Sequence, residues 1–193
     1  MKSLIEFLLY SAIAILFYRI VYTKKTDHNV LDKNAYINSY NNSLNEFNNN
    51  QDLYNQKCNK NDYTQHIIKY DNNIYKGQVF YGIKHGCGIE TYHDKYLNEI
   101  KYEGIWENNT ENGFGILYKN NVTVLGNKKN NKYDGLIKFQ TDLFSKVFIK
   151  RVDCIFVDGL QKYCYFIYMN DEYIYVPEYY IEKQKCNIMK ILL

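Results

Sequence analysis

Cysteine and histidine are the first residue types to consider for chemistry, because thiolates and imidazoles bind metals and act in catalysis. None of the five cysteines forms a Cys-x-x-Cys pair, and the four histidines do not stand beside them in a zinc-ligand spacing. We therefore expect no metal site and interpret the cysteines as free thiols in a reducing compartment. They are Cys58, Cys87, Cys154, Cys164 and Cys186.

The common short catalytic motifs are absent from the sequence. There is no Gly-x-Ser-x-Gly, no phosphate-binding loop and no His-Glu-x-x-His. The glycines Gly77, Gly86 and Gly88 lack the lysine and the strand-to-helix context that a phosphate loop needs. We expect a non-catalytic protein without a cofactor.

A short basic run at residues 127–132 is the best candidate for contact with an acidic lipid or an acidic partner. Its cations are Lys128, Lys129 and Lys132, and the competing interpretation is an ordinary solvated turn. The net charge of the chain is only +3, without a clustered basic face, so the sequence does not predict nucleic-acid binding.

The elements that position these residues follow from a repeated pattern of glycine and aromatic residues. The chain has 193 residues with 22 Tyr, 25 Asn and only 3 Ala, which argues against a helical bundle. Glycines recur nine residues apart in Gly77 and Gly86, in Gly104 and Gly113, and in Gly126 and Gly135. The members of the motif are Tyr75, Gly77, Gly86, Gly88, Tyr102, Gly104, Trp106, Gly113, Gly115, Gly126 and Gly135.

Each copy of the motif reads as a β-hairpin, with two short alternating runs around turn-forming residues. In the second copy the turn is predicted at residues 108–112. Alternation places Tyr102, Gly104 and Trp106 on one face. We expect Tyr102 and Trp106 to lie across the gaps that glycines leave on the partner strand, either as packing or as the lining of a groove for a peptide or helix.

The pattern of Tyr-x-Gly, a polar loop and Gly-x-Gly resembles the MORN repeat (membrane occupation and recognition nexus). It is clearest in residues 75–97 and 102–123 and degenerate in 124–145 and 148–168. The resemblance implies an all-β array of consecutive antiparallel hairpins, forming an elongated twisted sheet over residues 63–168. We expect residues 169–193 to form a capping hairpin and tail.

The N-terminal residues 1–25 predict a transmembrane or signal-anchor helix, because their 19-residue segment 4–22 carries charges only near its ends. A cleaved signal peptide is the alternative. More Lys and Arg follow the segment than precede it, which favours a cytosolic body in a single-pass membrane protein, whereas a cleaved signal would direct the chain to the secretory pathway. The apolar and aromatic members are Leu4, Phe7, Leu8, Leu9, Ile13, Ile15, Leu16, Phe17, Tyr18, Ile20, Val21 and Tyr22.

Residues 26–62 hold 12 of the 25 Asn, with no Gly or Pro. Their low hydrophobicity predicts a flexible tether, and a short amphipathic helix at residues 44–54 is the alternative. We thus expect a membrane-tethered, non-catalytic scaffold that recruits a protein partner. The alternatives are a peripheral module that reads acidic phospholipid headgroups and a regulatory subunit of a separate enzyme.

Overall fold

The computed structural model describes residues 33–58, 66–142, 149–168 and 173–176, and in them one helix and one ten-stranded sheet. The strands lie in the sheet in chain order, so each pairs antiparallel with its neighbours along the chain. This confirms the prediction of an all-β hairpin array. The elements are α1 (Lys33–Lys57), β1 (His66–Tyr70), β2 (Asn73–Phe80), β3 (Ile83–His93), β4 (Glu99–Glu107), β5 (Thr110–Lys119), β6 (Val122–Lys129), β7 (Lys132–Thr141), β8 (Ile149–Val157), β9 (Leu160–Tyr168) and β10 (Tyr173–Val176).

Two-residue turns with positive φ angles connect most of the hairpins. Asn108 and Asn109 have φ of 50° and 65°, and Asn130 and Asn131 have φ of 51° and 64°. Asn tolerates this left-handed region, and such turns match the twist of the flanking strands. The five-residue turn predicted at 108–112 was therefore too long, because the strand resumes at Thr110.

The register between the two strands of each of the first three repeats shifts beside the first glycine, and more unpaired residues lie on the second strand than on the first. The register shifts between Gly77 and Val79, between Gly104 and Trp106, and after Gly126. Bulges increase the local right-handed twist. The repeated glycine therefore marks a repeated irregularity in the strand pairing.

The helix α1 overturns the prediction of a flexible tether for residues 33–57. Every seventh residue, namely Tyr40, Phe47 and Tyr54, is buried against the sheet, while most of the Asn side chains point to solvent. Seven residues span two helical turns, so three large rings form one apolar stripe. The burial of this stripe offsets the poor helix propensity of Asn. The amphipathic alternative was correct in kind but too short.

The sheet has two different faces. The glycine face carries Tyr75, Tyr102 and Trp106, and its buried cluster continues through Ile137 and Phe139. The helix face carries Cys87, Phe114, Leu136, Ile155 and Tyr165, and α1 packs on it. Residues of α1 therefore lie on the side opposite to the repeated rings.

Four cysteines form disulfides, which overturns the prediction that these thiols are free. Cys58 follows α1 and is bonded to Cys87 of β3, with the Cα atoms 5.6 Å apart. Cys154 and Cys164 are directly paired across β8 and β9. The spacing along the chain gave no hint of either bond because the partners meet only through the fold. Cys186 lies outside the described residues.

Among the residues described, no helix combines the length and the apolar composition that a membrane crossing needs. The predicted membrane segment, the remainder of the predicted tether and the C-terminal tail lie outside these residues.

Candidate functional site

The repeated tyrosines pack over the repeated glycines. The ring of Tyr102 covers Gly115 of the partner strand and Gly104 of its own strand, so that a Cβ at Gly115 would overlap the ring. Tyr75 covers Gly88 in the same way one hairpin earlier. The predicted arrangement of a ring across a glycine gap is confirmed for Tyr102.

Trp106 joins the two tyrosines into one aromatic cluster. Its ring stands edge-on to Tyr75 and Tyr102, at 5.5 and 5.4 Å between centroids. Its Nε1 donates a 3.1 Å hydrogen bond to the carbonyl of Gly88. Tyr75, Tyr102 and Trp106 are 0%, 1% and 2% exposed. The rings therefore build the core of the glycine face, in agreement with the packing interpretation and not with the alternative of an open groove.

Lys128, proposed as a lipid contact, is buried inside this core. Its ammonium pairs with the carboxylate of Glu111 and lies 4.7 and 4.8 Å from the ring centroids of Tyr102 and Tyr133. Because the aliphatic part and the ammonium of Lys128 are both buried, Lys128 cannot reach a membrane surface. Lys129 and Lys132 are exposed on either side of the turn, as the basic-run prediction requires.

The preceding hairpin contains a second lysine–glutamate pair among aromatic rings. The ammonium of Lys84 lies 2.9 Å from Glu90 and 4.2 Å from the ring centroid of Trp106. Lys84 and Glu111 each follow the first glycine of their repeat by seven residues. This shared offset places the two charged residues at equivalent positions of their repeats. The prediction of the site from the sequence did not use it.

Two buried tyrosines carry hydroxyl groups without a partner. Within the described residues, neither the Tyr102 nor the Tyr133 hydroxyl has a hydrogen bond. Burial, reinforced by the Glu111 carboxylate, raises the pKa of both phenols well above the usual value. Both rings therefore stay neutral and act through packing and their attraction for Lys128.

Turn residues at one end of the strands form hydrogen bonds between successive hairpins. The side chain of Asn109 accepts a 2.8 Å hydrogen bond from the Lys84 amide, and its own amide donates to the Lys84 carbonyl at 3.0 Å. Asn131 makes the same two bonds to Glu111, at 2.7 and 3.0 Å. Each asparagine thus extends the hydrogen-bonding of its own hairpin to the hairpin before it.

Helix α1 contacts the helix face through its three rings. Phe47 and Tyr54 pack on Phe114, at 5.3 and 5.5 Å between centroids, and Tyr40 packs on Tyr165 at 4.3 Å. Each of the three rings, spaced seven residues apart on α1, therefore contacts an aromatic side chain of the sheet. They place the whole length of the stripe on the sheet.

A buried polar contact fixes the N-terminal half of α1. The Tyr40 hydroxyl donates a 2.7 Å hydrogen bond to Asp153, which is 0% exposed. Arg151 donates from Nε to the same carboxylate at 2.9 Å. Burial and the Asp153 charge raise the pKa of Tyr40, so Tyr40 stays a donor. A carboxylate satisfied by two donors sets the position of the helix on the sheet.

The connection between β3 and β4 presents two apolar side chains to solvent. Tyr96 and Leu97 are 72% and 81% exposed, and Leu97 has a φ of +64°. Asp94 accepts hydrogen bonds from the amides of Tyr96 and Asn98 at 2.8 and 3.0 Å, and it pairs with Lys119 at 3.1 Å. Hydrogen bonds from Asn98 hold the pKa of Asp94 well below its usual range. The loop at residues 94–98 is therefore fixed in shape by its own carboxylate.

A second exposed aromatic pair lies at the turn between β2 and β3. Phe80 and Tyr81 are 56% and 91% exposed, and Tyr81 has a φ of +50°. Asn or Asp occupies the equivalent position of the other two-residue turns of the described sheet. A bulky residue at positive φ is uncommon, and the ring of Tyr81 packs edge-on against Phe80 at 4.4 Å between centroids.

Shallow grooves lie beside the loop and beside α1. One of about 730 Å³ is lined by Glu99, Lys101, Tyr118 and Lys119 among others, next to the loop at 94–98. Another of about 760 Å³ runs between the end of α1 and the sheet, with Leu53, Ile105 and Phe114 along it. Over the described parts of the chain, no cluster of three His, Cys, Asp or Glu residues could hold a metal ion.

Comparison with protein-family models finds no match for the chain, and comparison with curated protein sequences finds none either. The resemblance to MORN repeats thus stays a prediction, based on residues 75–118 and on the hairpin array.

Proposed function

We propose that the chain is a non-catalytic, membrane-tethered scaffold of the MORN type that recruits a protein partner. The loop at residues 94–98 is the observation that carries this proposal. It interrupts a series of two-residue turns, and it exposes Tyr96 and Leu97 on a backbone that Asp94 already holds. Apolar side chains that are ordered before binding lose less entropy on association.

The chemistry of the loop favours a protein over other ligands. Tyr is enriched among the residues that dominate protein interfaces, and Leu97 adds apolar surface beside it. Asp94 pairs with Lys119, so its charge at the base of the loop is compensated. The apolar segment 4–22 supports attachment to a membrane.

Proximity labelling from the tagged full-length chain tests the proposal. We expect one set of proteins labelled by the native chain and lost from the double variant Tyr96→Ser, Leu97→Ser. The control is Tyr81→Ser, which removes another exposed aromatic side chain elsewhere on the sheet. Equal labelling by all three chains would contradict the scaffold, and so would robust catalytic turnover by the purified chain.

Lipid binding is the second candidate, because Lys129 and Lys132 are exposed together at the turn between β6 and β7. Each cation close to an anionic surface adds affinity that salt weakens. Vesicles with phosphatidylserine should bind the chain that lacks residues 1–25, and this binding should be lost after Lys129→Glu with Lys132→Glu. Lys69→Glu with Lys76→Glu changes the same charge on exposed residues of another hairpin and serves as the control.

The disulfides favour the alternative localisation, with the body in an oxidising compartment. Disulfides persist outside the cytosol and are rare within it. Cys58, Cys87, Cys154 and Cys164 are paired, so the free-thiol argument for a cytosolic body no longer holds. The excess of Lys and Arg after the membrane segment still favours the cytosolic orientation, and glycosylation together with cysteine oxidation decides between the two.

A further inference from the structure

We infer that the helix face of the sheet is a binding surface for an amphipathic helix of a partner protein, and that α1 occupies it until the disulfide between Cys58 and Cys87 is reduced. The inference rests on the proposed function, since it names a second surface of the scaffold and the kind of partner that fits it. Four observations lead to it: the docking of α1, its composition, the place of the disulfide and the short connection to β1.

The contacts of α1 show which side chains the helix face binds. Its pattern is Tyr, Phe and Tyr at seven-residue intervals, with both Phe47 and Tyr54 on Phe114. The first ring needs a hydroxyl, because Tyr40 donates to the fully buried Asp153. The middle ring lies under a cation, since the Lys138 ammonium is 3.9 Å from the centroid of Phe47. A partner helix with these three anchors would match the surface.

The composition of α1 makes it a weak occupant. Nine of its 25 residues are Asn and one is Ala, and seven of the Asn are exposed and contribute no packing. The seven are Asn38, Asn41, Asn42, Asn45, Asn48, Asn49 and Asn55. Each such Asn disfavours a helix relative to Ala, and the seven together lower the population of docked helix by about a thousandfold against a helix-favouring sequence.

The disulfide lies where it can compensate for this weakness. Cys58 comes directly after the last helical residue, and Cys87 is a fully buried residue of the helix face. The bond therefore fixes the C-terminal end of α1, where Tyr54 docks. A dithiol reductant would break the S–S bond and form two cysteine thiols, and the dithiol itself would be oxidised to a cyclic disulfide.

Reduction alone leaves α1 attached through residues 59–65. A linker of that length holds the helix near the face at an effective concentration of the order of millimolar. A partner helix with the same intrinsic affinity for the helix face as α1 would not displace α1 at micromolar concentration. One that gains about a thousandfold from better helix propensity would bind at about micromolar concentration.

The test uses the full-length chain in detergent and a labelled peptide with the sequence of residues 33–57. In the probe peptide the seven exposed Asn are replaced by Ala, Glu or Lys, and the three rings are kept. We expect saturable binding at about micromolar concentration by the reduced chain and by the Cys58→Ser, Cys87→Ser variant, measured by fluorescence anisotropy. Binding by the oxidised native chain should be at least a hundredfold weaker.

Three controls separate recognition from general loss of structure. The peptide with the native Asn residues should need about a thousandfold higher concentration. The probe with Tyr40→Phe should bind about tenfold or more weakly, because it leaves Asp153 without that donor. The variant Cys154→Ser, Cys164→Ser removes the other disulfide, which belongs to the glycine face, and should not bind the probe while Cys58 and Cys87 stay bonded.

Hydrogen exchange gives an independent measurement on the same chain. Amides of α1 should exchange at least tenfold faster after reduction, whereas those of β4 and β5 should keep their protection. Equal binding by the oxidised and reduced chains, or no binding with unchanged exchange of α1, would overturn the inference. Those results would leave the proposed function intact, because proximity labelling through Tyr96 and Leu97 measures a different surface.

Discussion

Hydroxyl groups that look alike in the sequence have opposite effects on stability. The buried hydroxyls of Tyr102 and Tyr133 have no partner among the described residues, whereas the Tyr75 hydroxyl donates a 2.6 Å hydrogen bond to the carbonyl of Gln78. A buried polar group without a partner costs stability, and a satisfied one contributes about 1 kcal/mol. The same substitution should therefore give results of different sign.

We predict that Tyr102→Phe and Tyr133→Phe leave the free energy of unfolding unchanged or raise it by up to about 1 kcal/mol. Tyr75→Phe should lower it by about 1 kcal/mol, since it breaks the bond to Gln78. Denaturant titration of the three variants measures the difference. A loss of stability in Tyr102→Phe as large as in Tyr75→Phe would show that the Tyr102 hydroxyl does have a partner.

The burial of Lys128 shows a limit of reading single residues. A lysine that lies near a turn and near two other lysines is expected to be exposed. Lys129 and Lys132 are indeed exposed. Strand alternation turns Lys128 alone toward the glycine face, where Glu111 and two rings surround it. The sequence could have predicted its direction from the register but not the carboxylate that receives it.

At the scale of the elements, the turn asparagines adopt positive φ angles and also form hydrogen bonds between hairpins. We predict that Asn131→Gly lowers the free energy of unfolding by about 1 kcal/mol, because it keeps the positive φ and loses the bond to the Glu111 amide. Asn131→Ala should lower it by about 2 kcal/mol, since it also introduces backbone strain. Gly159 already occupies the equivalent position one hairpin later and bonds to Tyr133. Thermal or denaturant unfolding measures both, and equal losses would mean that the side-chain bond contributes nothing.

The loop at residues 94–98 should depend on pH through Asp94. The pKa of this carboxyl is lower in the folded chain than in the unfolded chain, mainly because of the hydrogen bonds from Asn98. Its contribution is therefore complete above about pH 4, the ordinary pKa of Asp, and is lost as the pH falls below that value. We predict faster amide exchange of Tyr96 and Asn98 at low pH relative to the sheet. The variant Asp94→Asn should exchange fast at neutral pH, and an unaltered rate in that variant would contradict the role of the carboxylate.

Elements differ in how far the sequence predicts them. The hairpins were predictable because glycines nine residues apart and paired turn residues occur once in every hairpin of residues 75–140. Helix α1 was predicted only as a shorter alternative at residues 44–54, because its pattern is three rings among 25 residues of which nine are Asn, and the low helix propensity of Asn hides the seven-residue interval. The bond of Cys58 to Cys87 depends on the docking of α1, so it could not be predicted before the helix was.

At the scale of the whole molecule, the two sheet faces have separate roles. The glycine face is closed by its own rings and ion pairs, and those contacts link each hairpin to the next. The helix face is closed by α1, which the chain attaches with one disulfide and one buried hydrogen bond. The loop at residues 94–98 carries the exposed side chains Tyr96 and Leu97. The proposed partner surfaces are therefore this loop and the helix face, whereas the glycine face contributes stability.

The compartment of the body follows from how the whole chain is oxidised and modified. Asn-x-Ser/Thr sequences begin at Asn41, Asn108 and Asn121, and all three asparagines are exposed. A body on the oxidising side should carry glycans there, and Cys58, Cys87, Cys154 and Cys164 should resist maleimide until a reductant is added. We therefore predict that endoglycosidase lowers the mass of the native chain and not of the triple variant Asn41→Gln, Asn108→Gln, Asn121→Gln. A body on the cytosolic side would show no glycan, and its four cysteines would react with maleimide without reductant once the cells are lysed in denaturant, which exposes these buried side chains. That result would mean that α1 is held in the cell without its disulfide, which is the state in which the helix face is proposed to bind a partner.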